Sequence, residues 1–139
     1  MEVEINWLAV VLATISSMVV GSIWYAKSVF GTQWAKMVKL TDKQMQQDAG
    51  KAIAITIVVS FLTAYVLAHI IFLAHSFFKN SFLQDAVTTA FWLWLGLTAA
   101  RFVTHDAFER RPINLTIMNV SHEFVTLIVM GIIIGIMKP

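Results

Sequence analysis

The sequence predicts an all-α protein: an integral membrane four-helix bundle, antiparallel and up-and-down, with a short interfacial amphipathic helix between the first and second membrane helices. Three observations carry that prediction. Of 139 residues, 58% are hydrophobic and only 13% charged, and the mean hydropathy is +0.75. A soluble domain carries about 25% charged residues to cover its surface. The apolar residues also come in four blocks of membrane length, and with their polar ends the helices run over about 5–25, 42–75, 84–105 and 113–137. A soluble helical protein with an outsized core does not explain blocks of that length. They leave almost no residues over, so 1–139 is expected to form a single four-helix transmembrane domain.

The first helix carries Ala9, Ala13, Ser17 and Gly21 at four-residue intervals. Such a stripe lets a second backbone approach closely where lipid offers no hydrophobic drive to pack. Trp24 and Tyr25 mark its far end as an interface, where amphipathic rings prefer to sit. The next residues, 27–50, form the only long polar stretch, in which Phe30, Trp34, Met37 and Val38 repeat at helical spacing around Lys36 and Lys39. A helix lying in the headgroups and an ordinary amphipathic connector fit that pattern equally well. Thr41-Asp42-Lys43-Gln44 has the form of a capping box, so the second long helix is expected to begin near Asp42.

In the second helix Ala52, Thr56, Ser60, Ala64 and Ala68 form a matching stripe, and the first two helices are expected to pack tightly together. The connection 75–84 is short, so the third helix should return antiparallel. That helix carries Phe91, Trp92 and Trp94, and a shorter stripe of Gly96, Ala100 and Thr104. Pro112 suits the first turn of the fourth helix, where no backbone donor is missed. The fourth helix ends with Gly131 and Gly135 in a Gly-x-x-x-Gly spacing, a packing signal too common to specify dimerisation.

Charge fixes an expected orientation. Lys27, Lys36, Lys39, Lys43, Lys51, Arg101, Arg110 and Arg111 fall on one side, and Lys79 and Lys138 on the other. Eight basic residues against two put the two basic loops in the cytoplasm and both termini outside. The net charge of +2 is small, and the basic residues flank apolar segments, a pattern of membrane orientation rather than nucleic-acid binding. Cysteine is absent, which excludes disulfides, thiolate metal sites and cysteine nucleophiles. Met1-Glu2-Val3-Glu4 is acidic where a signal peptide would be basic, so no cleaved leader is expected.

Asn6-Trp7-Leu8-Ala9-Val10, then Gly21-x-x-Trp24-Tyr25, then Phe30-Gly31-x-x-Trp34 resemble the small prokaryotic membrane proteins grouped as domain of unknown function 1761. Trp94-Leu95-Gly96, Phe108-Glu109-Arg110-Arg111-Pro112 and Asn119 extend the resemblance over nearly the whole chain. It implies four membrane helices, a prokaryotic cytoplasmic membrane and no established activity. Where the resemblance leads one to expect a tyrosine soon after Asn119, this chain has His122 and Glu123. A function resting on that pair need not be shared by the family.

Ionisable groups within a bilayer are costly and mark candidate sites. Asn119, His122, Glu123 and Thr126 share one face of the fourth helix, with Glu123 about a third of the way into the membrane. Such a face either binds a proton or a cation, or packs inward against Ser60, Tyr65 or Arg101. Arg101 itself either snorkels to the headgroups or turns inward to neutralise Glu123. His105, Asp106, Glu109, Arg110 and Arg111 form a charged cytoplasmic turn, in which Asp106 and Arg110 have the spacing of a helical ion pair. His105 and Glu109 offer two metal ligands where zinc normally wants three or four, and no metal site is assigned. Arg110 and Arg111 with the loop lysines suit anionic lipid headgroups. His75 reads as interfacial and His69 as a hydrogen-bonded core residue.

No catalytic triad order, phosphate-binding glycine loop, haem motif or His-Glu-x-x-His signature is present, so no cofactor is expected. Three readings remain. One is an interaction, lipid-binding or accessory membrane protein. Another is a proton- or cation-coupled transporter or channel, which with four helices needs a homo-oligomer to enclose a pathway. The least supported is a membrane enzyme using Glu123, His122 and Arg101.

Overall fold

The computed structural model describes residues 2–139; Met1, which opens the acidic N-terminus, lies outside the described residues. All regular structure among them is helical. There are five helices: α1 Trp7–Trp24, α2 Gly31–Val38, α3 Asp42–Phe78, α4 Phe82–Phe108 and α5 Ile113–Met137. Four of them, α1, α3, α4 and α5, are long and apolar enough to cross a membrane. At 1.5 Å per residue, the 18 residues of α1 reach about 27 Å and the 37 of α3 about 55 Å. The polar first turns of α3, from Asp42 to Lys51, account for its extra length.

Local chemistry sets the helix ends. Asn6 caps α1 by accepting from the Ala9 N–H at 3.1 Å. Thr41 and Gln44 form both halves of a capping box at the start of α3. Ser81 does the same work for α4, accepting from Gln84 N–H at 3.2 Å. Lys39, Lys79 and Arg110 stop their helices in the left-handed region, with φ of 57°, 55° and 54°. Their positive charges sit where helix carbonyls leave partial negative charge, which offsets part of the cost of that backbone.

The long helices close in a ring, α1 packing against α3 and α5, and α4 against the same two. The core lies toward the end that holds the termini and the α3–α4 turn. Ala9, Val10 and Ala13 meet Ala64, Leu67 and Ala68 there, with Ile71, Phe82 and Ile134 beyond them. Close approach depends on missing side chains. A Cβ on Gly131 would stand 2.9 Å from Ala90 Cβ, and one on Gly135 would stand 2.9 Å from Ala86 Cβ. The Gly-x-x-x-Gly row thus seats α4 within the same chain.

The other half is looser. Residues 51–59 of α3 are all exposed, and its four-spaced row becomes buried only at Ser60. Ala52 and Thr56 therefore stand outside the buried packing, on the part of α3 before Ser60. In α4 a π turn spans Trp94–Ala99. Each π turn carries an extra residue, which rotates the remainder of the helix. The buried row passes from Ala86 and Ala90 to Ala99 and Asp106, leaving Gly96, Ala100 and Thr104 exposed. Trp94 anchors the bulge by donating its indole N–H to the Val120 carbonyl of α5 at 3.0 Å.

Candidate functional site

Where α1 and α3 part, they enclose with α5 a cavity of about 570 Å³. α1 contributes Ser17, Gly21 and Tyr25, and α3 contributes Thr56, Ser60 and Thr63. From α5 come His122, Glu123 and Thr126 on the polar wall, and Leu127 and Met130 on the apolar one. Three of the four polar residues spaced along α5 thus meet at one hollow. The side chain of Glu123 is 34% exposed and that of His122 only 14%, so the carboxylate fronts the opening and the imidazole backs it.

His122 Nδ1 lies 3.2 Å from Glu123 Oε1, and Nε2 lies 3.5 Å from Thr126 Oγ1. The rings of Trp24 and Tyr25, at the end of α1, both lie against the imidazole, at centroid distances of 6.0 and 5.0 Å. Gly21 lies beside it: a Cβ there would stand 3.5 Å from His122 Nε2, an ordinary contact. The last small residue of the α1 stripe therefore faces a polar side chain of α5, whereas Ala9, Ala13 and Ser17 are buried.

Asn119, one turn earlier, turns toward a different place. Its Oδ1 accepts the Tyr25 hydroxyl at 3.2 Å, and it lines a second cavity of about 510 Å³ with Thr98, Arg101, His105 and Asp106. Tyr25 also meets Trp34 of α2 edge-on at 5.4 Å, which ties the short helix to this junction. Arg101 is exposed on the second cavity, and no ion pair joins it to Glu123 among the described residues.

The charged turn closes differently from its spacing. α4 ends at Phe108 and Arg110 adopts a positive φ, so Arg110 cannot reach Asp106 along a helix face. Arg111 comes back instead, with Nε 2.6 Å from Glu109 Oε2 and 3.9 Å from Asp106 Oδ1. Glu109 beside it holds the Arg111 guanidinium proton still more firmly than usual. Asp106 is buried and accepts the Thr116 hydroxyl at 2.6 Å, fastening α4 to α5.

One polar cluster escaped the sequence reading. Asp85 is buried in the first turn of α4, where His75 Nδ1 stands 2.8 Å from Oδ2 and Asn80 Nδ2 donates to Oδ1 at 2.9 Å. A signal existed, since Ser81 as a cap followed by an acid in the first turn is the pattern that welcomes a carboxylate. His69 sits on Tyr65, with ring centroids 4.6 Å apart, and Trp7 stacks on the same tyrosine at 5.4 Å. Trp24 Nε1 is buried without a hydrogen-bond partner among the described residues.

Helices and cavities together define an all-helical protein with four segments apt for a membrane and, between α1, α3 and α5, a hollow lined by Glu123 and His122. The chain belongs to the family described as Protein of unknown function (DUF1761), whose model matches residues 8–135. No curated protein and no solved structure matches it.

Proposed function

We propose that the chain is an integral membrane protein, an antiparallel four-helix bundle that binds an amphiphilic molecule in the hollow between α1, α3 and α5. The observation that carries this reading is the cavity itself, polar at Glu123 and His122 and apolar at Leu127 and Met130. A hollow so lined suits a molecule with one polar end and one apolar end. It opens among segments that lipid would surround, so the ligand arrives from the bilayer. The hydrogen bonds from Asn6 to the Met137 and Lys138 carbonyls bring the termini to one end, which supports an even number of crossings. The basic residues gather at the other end, supporting a cytoplasmic position for it and an external one for both termini. α2, held by Trp34 on Tyr25, is then the interfacial helix, and Arg110 and the loop lysines face anionic headgroups.

Native mass spectrometry of protein taken from membranes tests the binding role. A retained amphiphile is expected on the unaltered chain and its loss on Ser60→Trp, which fills the cavity; equal retention by both contradicts the reading.

A second reading, proton- or cation-coupled transport by a homo-oligomer, draws on the Tyr25–Asn119 bond. That bond stands between the Glu123 cavity and the Arg101 cavity, so hydrogen-bonding groups continue from one to the other. Proton flux in proteoliposomes that is unchanged by Glu123→Gln would exclude it.

A further inference from the structure

We infer that the α1–α3–α5 cavity selects amphiphiles with a cationic head, an alkylammonium or quaternary ammonium group, over neutral and anionic ones. The inference rests on the proposed role of the cavity as an amphiphile site and names the chemistry of the occupant. Among the described residues that line the cavity there is one acid, Glu123, and no lysine or arginine. Arg101, the cation that the sequence offered as its neutraliser, lines the other cavity.

A neutral His122 imidazole satisfies both of its contacts, with Nδ1–H donating to the Glu123 carboxylate and Nε2 accepting from the Thr126 hydroxyl. The carboxylate then carries one hydrogen bond and no lysine or arginine partner. Attraction between charges strengthens as water is excluded and the surroundings turn apolar. An ammonium head gains that attraction, an anionic head is repelled by it, and a hydroxyl head receives neither. Tyr25, whose ring lies 5.0 Å from the His122 ring on the cavity wall, adds a π face that suits a quaternary ammonium. Met130 and Leu127 receive the alkyl chain.

The test is equilibrium binding to the protein in nanodiscs of digalactosyldiacylglycerol, an uncharged lipid without an ammonium group, with empty discs subtracted, using dodecyltrimethylammonium, dodecanol and dodecyl sulfate as probes. Dodecyltrimethylammonium is expected to bind about tenfold or more tightly than dodecanol, and dodecyl sulfate to compete for neither. Glu123→Gln should erase the preference, so that the cation and dodecanol bind with similar affinity, and Glu123→Asp should retain it. Saturable dodecanol binding in Glu123→Gln reports an intact cavity. Cation binding that survives Glu123→Gln, or dodecanol binding lost along with it, overturns the charge selection. If Ser60→Trp still abolishes both probes on the unaltered background, the amphiphile site stands without it. No saturable binding of any probe overturns both. Phosphatidylethanolamine added to the discs separates the sources: competition identifies the ammonium head of a zwitterionic bilayer lipid as the ligand, and its absence a free amine.

Discussion

Asn6 joins the start of α1 to the end of α5. Its Oδ1 accepts from the Ala9 N–H, while its Nδ2 donates to the carbonyls of Met137 at 3.1 Å and Lys138 at 2.8 Å. One amide thereby satisfies groups that two helix ends leave unpaired. Asn6→Ala should cost about 1–2 kcal/mol, read as a lower melting temperature by circular dichroism in detergent. Asn6→Asp keeps the cap but loses the donor and brings a like charge to the negative end of α5. It should recover none of the loss, and full recovery would show that the cap alone matters.

Glycines at different places should answer alanine with opposite signs. Gly131→Ala pushes a methyl into Ala90 and to 3.2 Å from the Ala86 carbonyl, so α4 must move, at about 1–3 kcal/mol. Gly50→Ala meets nothing within 4 Å and should stabilise α3 by up to about 1 kcal/mol. Parallel melts of the two variants check the pair.

Two buried carboxylates hold the turns that flank α4. Asp85→Ala removes the acceptor shared by His75 and Asn80, and Thr116→Val removes the hydroxyl that satisfies Asp106. Each leaves buried or half-buried polar groups without partners, so losses of about 1–3 kcal/mol are expected in chemical unfolding. Because the two clusters share no residue, the double variant should lose nearly the sum.

Tyr25→Phe keeps the rings packed on His122 and Trp34 and deletes only the hydroxyl bonded to Asn119. About 1 kcal/mol should be lost. If transport exists, flux should fall in this variant while amphiphile binding persists, a result that separates the two functional readings.

Much of the architecture was legible because the signals were local. Four apolar stretches, a capping box at Thr41 and a polar face on α5 are each set by composition and spacing within one helix. The spacing put His122, Glu123 and Thr126 on one side of α5, and those three line a single hollow. The features that escaped depend on pairs of helices. The π turn at Trp94 rotates the rest of α4, and no residue type announces it. The splaying of α3 before Ser60 decides that Thr56 lines a cavity while Ala64 is buried, although both belong to one four-residue row. Gly21 likewise faces a histidine from a distant helix, which spacing within α1 cannot reveal.

Photolabelling measures the cavity's role most directly. A dodecanol carrying a diazirine, added to the protein in nanodiscs, should mark the cavity walls of α1 and α3, around Ser17, Gly21 and Thr63. Ser60→Trp should erase that label. Label spread evenly over exposed apolar positions such as Leu12, Ile15 and Leu62, and indifferent to Ser60→Trp, would mean that the hollow holds no ligand.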